Sequence, residues 1–189
     1  MDGVLRTRVG YSGGKSTNPS YKVVDFHTEV VEIDYDPEII SYGELIDIFF
    51  SSHNETLRPY DQRVKSLIFY RNDAEYDIAK QKLNNIRMST PEEESVFTEL
   101  KSFEVFYLAE PEHQNRSLKL ETSLYGEIEQ MFGTDDKVLL SILASKLNGY
   151  IYGYGTLEGA QNLLDLSGLS DASKARVIDV IQNRKYELP

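Results

Sequence analysis

Residues 27–50 read HTEVVEIDYDPEIISYGELIDIFF, and two different periods follow one another in them. From His27 to Tyr35 apolar and polar residues alternate, with Val31 and Ile33 on one side and Glu32 and Asp34 on the other. A period of two is the pattern of a half-buried strand. Asp36-Pro37 ends it, because proline cannot donate to a ladder. A helix is expected from Ser41, where Glu44 three residues later completes a capping box. Leu45, Ile48 and Phe49 then fall at core spacing. Strand, turn and capped helix in immediate succession point to a mixed fold.

The same alternation of elements extends in both directions. Val4–Val9 reads as a short strand and Gly10–Ser20 as a turn-rich loop. Lys65–Tyr70 is another strand, and Asn72 or Asp73 caps a helix that ends near Met88, before Pro91. Tyr76, Ala79 and Leu83 share a face of that helix, and Glu104–Leu108 is a further β-prone stretch. With no internal repeat and no low-complexity linker, this part reads as an α/β or α+β domain. From about Leu120 the pattern becomes helical, with starts at Thr134-Asp135-Asp136, Thr156-Leu157-Glu158 and Ser170-Asp171. Val138, Leu139, Ile142 and Leu143 give the first of these helices one apolar face, and Gly149 is a candidate cap. Tyr150, Tyr152 and Tyr154 alternate with other residues, as a short strand or as an aromatic surface.

Composition narrows the chemistry. The 189 residues carry a formal net charge of −11, which argues against a general affinity for nucleic acid. No stretch approaches the apolar length of a membrane span, and Met1-Asp2-Gly3-Val4 has neither the basic start nor the apolar run of a signal peptide. The expectation is a soluble cytoplasmic protein. The cysteine count is zero, so these residues hold no disulfide, thiolate metal site or cysteine nucleophile. Three histidines, His27, His53 and His113, stand singly, and neither a metal nor a cofactor is expected.

The segment GYSGGKST at residues 10–17 has the residues of a phosphate loop at the wrong spacing. A P-loop needs a glycine five positions before its Gly-Lys, and that position here is Val9. Asn18-Pro19-Ser20 follows where the helix should open, and a residue before proline is pushed out of helical geometry. The plain alternative is a glycine turn leaving a strand.

Four segments together carry a resemblance. In order, GVLRTRVGYSGGKSTNPSY, HTEVVEIDYDPEIISYGELIDIFFSSHNET, KSLIFY and FYLAEPEHQ resemble peptide methionine sulfoxide reductases of the A type, over roughly residues 3–118. The resemblance implies a two-layer α+β fold, a mixed sheet with helices and a ferredoxin-like core. Residues 1–118 would form that domain and residues 119–189 a helical extension, whose partner the resemblance does not name. It also implies that Gly13 and Gly14 shape one wall of a sulfoxide cleft, with His27 beside it. Tyr21 would hydrogen-bond the sulfoxide oxygen, and Glu29 would be its proton donor. On spacing alone, Glu29 reads as a solvated carboxylate beside a strand, and His27 as a hydrogen-bonded structural residue.

The departures matter as much as the matches. The family's nucleophile lies in a Gly-Cys-Phe-Trp segment N-terminal to the Gly-Val matched by Gly3-Val4, and this sequence has neither cysteine nor tryptophan. The family's Asp-x-Gly-x-Gln-Tyr-Arg-Ser motif falls on Pro59 to Ser66, with Val64 in place of the tyrosine. Sulfoxide reduction needs a thiolate, and the sulfenic acid it leaves needs a second thiol. As written, the chain is expected to be inactive, with Glu29 a vestigial donor, and thioredoxin-type recycling has no disulfide to act on. Two expectations follow: a family member shortened at its N-terminus, or a pseudoenzyme that binds methionine sulfoxide peptides or scaffolds a partner through its helices.

Overall fold

A computed structural model describes residues 1–183 and has a mixed α+β architecture. Contacts divide the chain into two compact units, one formed by Val9–Glu110 and the other by Gly3–Arg8 with the chain from Pro111 onward. Strand β1 (Val4–Ser12) begins in the second and ends in the first.

The strands form two small sheets. One has the order β2-β1-β5, with β2 at Thr28–Tyr35 and β5 at Phe106–Leu108. β5 runs antiparallel to β1, with Gly10 opposite Leu108 and Ser12 opposite Phe106. The other sheet pairs β3 (Leu67–Tyr70) in parallel with β4 (Glu99–Ser102). Helix α1 (Tyr42–Ser51) connects β2 to β3, and α2 (Asp73–Ser89) connects β3 to β4. Ile46, Phe50, Ile68, Ala79 and Leu83 form the core beneath them.

Several sequence expectations are corrected here. β1 runs three residues past Val9, because Gly10 has no side chain to meet the Phe106 ring lying over it. In β2 the expected inner residue Val31 is 55% exposed, whereas the Glu32 side chain is only 18% exposed. β2 is an edge strand, and Arg71 pairs with Glu32 at 3.4 Å, so the carboxylate is satisfied without facing water. α1 is rolled so that Ile46 and Phe50 are buried, while Ile48 is 37% exposed. Its Ser41–Glu44 capping box is present as expected. Asn72, not Asp73, caps α2, and Ala79 and Leu83 are its buried residues. Strand β4, Glu-Leu-Lys-Ser, had no sequence signal beyond one leucine.

In the other unit the described elements after Pro111 are helical. They are α3 (Arg116–Leu120), α4 (Thr122–Phe132), α5 (Asp135–Leu139), α6 (Ile142–Tyr152), α7 (Leu157–Asp165) and α8 (Asp171–Asn183). Leu118, Ile128, Leu147, Ile151 and Val177 are at most 1% exposed and anchor their common core. The single helix expected after Thr134 is two helices. Ser141 breaks the run by capping α6 through the Ala144 N–H, which leaves Ile142 47% exposed. Gly149 lies inside α6, and Gly153, at φ +117°, is the cap. The tyrosines do not form a strand: Tyr152 ends α6 and stacks on Tyr154, their rings 5.3 Å apart.

One carboxylate organises the start of α8. Glu127 on α4 accepts hydrogen bonds from the Ser170 N–H at 2.6 Å, the Ser170 hydroxyl at 2.8 Å and the Ser173 hydroxyl. The Ser173 bond, then those of Ser170, hold its carboxyl below the usual carboxylate range. A folded-state value below the unfolded one stabilises the fold above the unfolded pKa, and that contribution is lost as pH falls through the folded value. Glu127→Ala is therefore expected to lower the denaturation midpoint at neutral pH. The gap to the parent should close in acid, which urea titrations of both proteins at a series of pH values will show.

Candidate functional site

The glycine loop is built on a buried histidine. His27 is 1% exposed. Its Nδ1 accepts the Gly14 N–H at 3.1 Å, so the ring proton is on Nε2, which donates to the Ser16 carbonyl at 3.0 Å. Gly13 takes φ +81°, a left-handed conformation that favours glycine. Gly14 is required by proximity, since a Cβ there would lie 2.3 Å from His27 Cδ2 and 2.5 Å from the His27 backbone N. The Lys101 ammonium donates to the Gly13 carbonyl. His27 thus lies under the loop and shapes it from behind, with its ring edge-on to Tyr107 at 5.4 Å.

Tyr21 is held in place by a carboxylate. Glu110 accepts the Tyr21 N–H at 2.9 Å on one oxygen and the Tyr11 hydroxyl at 2.8 Å on the other. This carboxylate joins the end of β1 to the tip of the following loop and sets where Tyr21 stands. Burial first, then the hydrogen bond to Glu110, push the Tyr11 phenol above its ordinary value, and the charge of Glu29 adds to the shift. The ring of Tyr21 is 5.8 Å from the Arg63 guanidinium carbon. Tyr21 is 49% exposed, and Glu29, next to the buried Thr28, is exposed as well.

Arg63 is the group that sequence reasoning missed. Asp61 caps the short 3₁₀ turn Gln62–Val64 by accepting the Arg63 N–H at 2.9 Å. Its other oxygen accepts Arg63 Nε at 3.2 Å and Nη2 at 2.9 Å. These side-chain hydrogen bonds hold the Asp61 carboxyl below its usual range and raise Arg63 further, with smaller contributions at Arg63 from Tyr21 and Glu29. The Thr28 hydroxyl donates to the Gln62 carbonyl at 3.1 Å, which ties this turn to the start of β2. The guanidinium thus stands between Asp61, which binds it, and the ring of Tyr21. Asp-x-Arg was visible in the sequence, but nothing in the spacing said that the pair would meet Tyr21. Val64 is 44% exposed and Tyr60 90% exposed, and His113 belongs to the 3₁₀ turn Pro111–His113.

This arrangement suits a neutral, strongly accepting oxygen. A phenol and a fixed guanidinium both donate hydrogen bonds, and a carboxyl does so when protonated. No thiol is available in the sequence. Among the described residues no group of three or more His, Asp and Glu side chains is placed to hold a metal.

Comparison with known proteins identifies the family. The family model described as peptide methionine sulfoxide reductase matches residues 1–139, past the residue 118 at which the sequence resemblance stops. A peptide methionine sulfoxide reductase of Drosophila melanogaster is 38% identical over 175 residues, covering 91% of this chain and 69% of that protein. Peptide methionine sulfoxide reductase A5 of Arabidopsis thaliana is 36% identical over 156 residues, covering 79% of this chain and 60% of that protein. The crystal structure of Mxr1 from Saccharomyces cerevisiae in reduced form superimposes with a TM-score of 0.52 at 27% identity, over 64% of this chain and 72% of that one. The chain belongs to the peptide methionine sulfoxide reductase family.

Proposed function

We propose that this chain binds the sulfoxide of an oxidised methionine in a peptide and, from its own residues, does not reduce it. The carrying observation is the Arg63 guanidinium, fixed by Asp61 and standing over the ring of Tyr21, in a sequence without cysteine. Tyr21 and Arg63 offer hydrogen bonds to the sulfoxide oxygen, and Glu29 offers one in its protonated form. Reduction requires a thiolate to attack sulfur while a proton is delivered to oxygen, and only the second half of that step is represented. In enzymes whose groups act as a unit, loss of the nucleophile costs on the order of a million-fold in kcat. The chain is thus a pseudoenzyme that keeps the oxygen-recognising part of its family's site.

A calorimetric titration tests this directly. A methionine S-sulfoxide peptide is expected to bind about tenfold more tightly than the same peptide as the sulfide, the worth of one hydrogen bond to a charged group. Arg63→Ala should remove the difference and Glu29→Ala reduce it, and equal affinity of the parent chain for both peptides would sink the proposal. With dithiothreitol as the sole thiol, the sulfoxide peptide should be recovered unreduced.

A second reading is favoured by length. The chain spans 69% of the fly relative and 60% of the plant one. Supplied with a thiol from beyond these 189 residues, the same groups would serve a reductase, with Glu29 as the proton donor. The intact mass of the protein from its natural source separates the two. A mass above 21.6 kDa with a cysteine-bearing segment selects the reductase.

A further inference from the structure

The segment from Tyr21 to Phe26 holds a conformation that its own packing does not explain. Asp25 and Phe26 lie at φ +42° and +65°, and neither is glycine. A bulky residue in the left-handed region crowds its Cβ against the following carbonyl. Burial of the ring would offset that strain, yet Phe26 is 65% exposed. Val23 is 66% exposed and Tyr21 49% exposed.

The segment is clamped at both ends. Ser20 and Val23 exchange backbone hydrogen bonds at 3.0 Å, with Tyr21 at the tip of the loop they close. His27 is buried, pinned by its ring to Gly14 and Ser16, and its N–H donates to the Val24 carbonyl at 2.9 Å. The strain thus falls immediately before a fixed point and turns the Phe26 ring outward. One neighbour of the ring is a cation, Lys15, with Nζ 5.9 Å from the centroid. Strained backbone that the surrounding structure enforces concentrates at binding sites. Here it sits in the same short segment as Tyr21, which faces Arg63.

We propose that Tyr21, Val23 and Phe26 form an apolar lip that receives a hydrophobic side chain next to the oxidised methionine of a peptide, with Phe26 determining the preference. This rests on the sulfoxide-binding reading above, because Tyr21 belongs to both surfaces and a peptide held by its sulfoxide would lay its neighbouring residue along the lip. Exposed apolar side chains gain by desolvation against another apolar group, and all three are exposed within six residues of chain.

The test uses two methionine S-sulfoxide peptides that differ only in leucine or serine beside the methionine, each also prepared as the sulfide. The intact chain should bind the leucine peptide about fivefold to tenfold more tightly than the serine peptide. Phe26→Gly should erase that preference while raising resistance to urea, because glycine takes φ +65° without strain. N-acetyl-methionine S-sulfoxide amide, which has no neighbouring side chain, should bind both proteins equally. Equal binding of leucine and serine peptides by the parent chain overturns the lip, as does a leucine preference that survives in Phe26→Gly. A dimer in sedimentation that Phe26→Gly dissolves also overturns it, since a second copy would then occupy the surface. If the leucine preference depends on Phe26 but sulfoxide and sulfide bind alike, the lip stands and the sulfoxide reading fails.

Discussion

Gly14→Ala should be among the most damaging single-atom additions to the Val9–Glu110 unit. The new Cβ would arrive 2.3 Å from a ring carbon of His27 and 2.5 Å from the His27 backbone N. A flexible side chain could swing clear, but His27 is buried and bonded through both ring nitrogens, and its main chain leads into β2. Relief therefore requires the loop to lift, breaking the Gly14 N–H bond to Nδ1. Overpacking of this kind costs about 3 kcal/mol, the upper end of its usual range. Urea denaturation of parent and variant measures it. Because the loop leads on to Tyr21, the variant should also lose its preference for sulfoxide over sulfide peptide. A stability change under 0.5 kcal/mol would show that His27 does not hold the loop.

Leu147→Ala should have an equal or larger effect on the helical unit. Leu147 is 0% exposed on α6, in the core that also holds Leu118, Ile128, Ile151 and Val177. Removing its isobutyl group leaves a cavity that helices on several sides cannot jointly collapse into, at a cost of about 2 to 5 kcal/mol. Leu166→Ala is the matched control. Leu166 is 89% exposed at the end of α7, and its replacement should stay within about 0.5 kcal/mol of the parent. Thermal melts and urea titrations of the pair decide the matter, and similar losses for both leucines would mean that this core does not limit stability.

Elements with local chemistry were legible in the sequence, and those settled by packing were not. The Ser41 capping box is made by side chains three residues apart, so residue order is enough to find it, and order narrowed the cap of α2 to Asn72 or Asp73. Which face of β2 or α1 is covered depends on what packs there. Period alone could not say that Val31 would face out and Ile46 in. β4 exists because β3 lies beside it, and the break before α6 depends on Ser141 finding the Ala144 N–H.

The site divides in the same way. Tyr21 and Glu29 were singled out through a resemblance spread over four segments, and the structure puts the ring of Tyr21 5.8 Å from the Arg63 guanidinium carbon. Arg63 itself was passed over because its position follows from Asp61 turning the chain back on itself, a contact two residues long but set by the 3₁₀ turn. Phe26 gave no sign at all. A phenylalanine in left-handed geometry has no sequence signature, and only coordinates show it.

The first strand has a bearing on synthesis. The Thr7 N–H donates to Ser145 Oγ at 3.0 Å, and Arg6 reaches the Leu140 carbonyl at 3.4 Å. These residues of β1 therefore meet partners that are synthesised much later, 138 positions further on in the case of Thr7. At typical translation speeds that wait is on the order of 10 s. During it, the Val9–Glu110 unit has its full sequence in hand while the Gly3–Arg8 end of β1 lacks the helices of its own unit. A nascent chain stalled before α6 should expose that end to proteases, and release of the finished chain should close it.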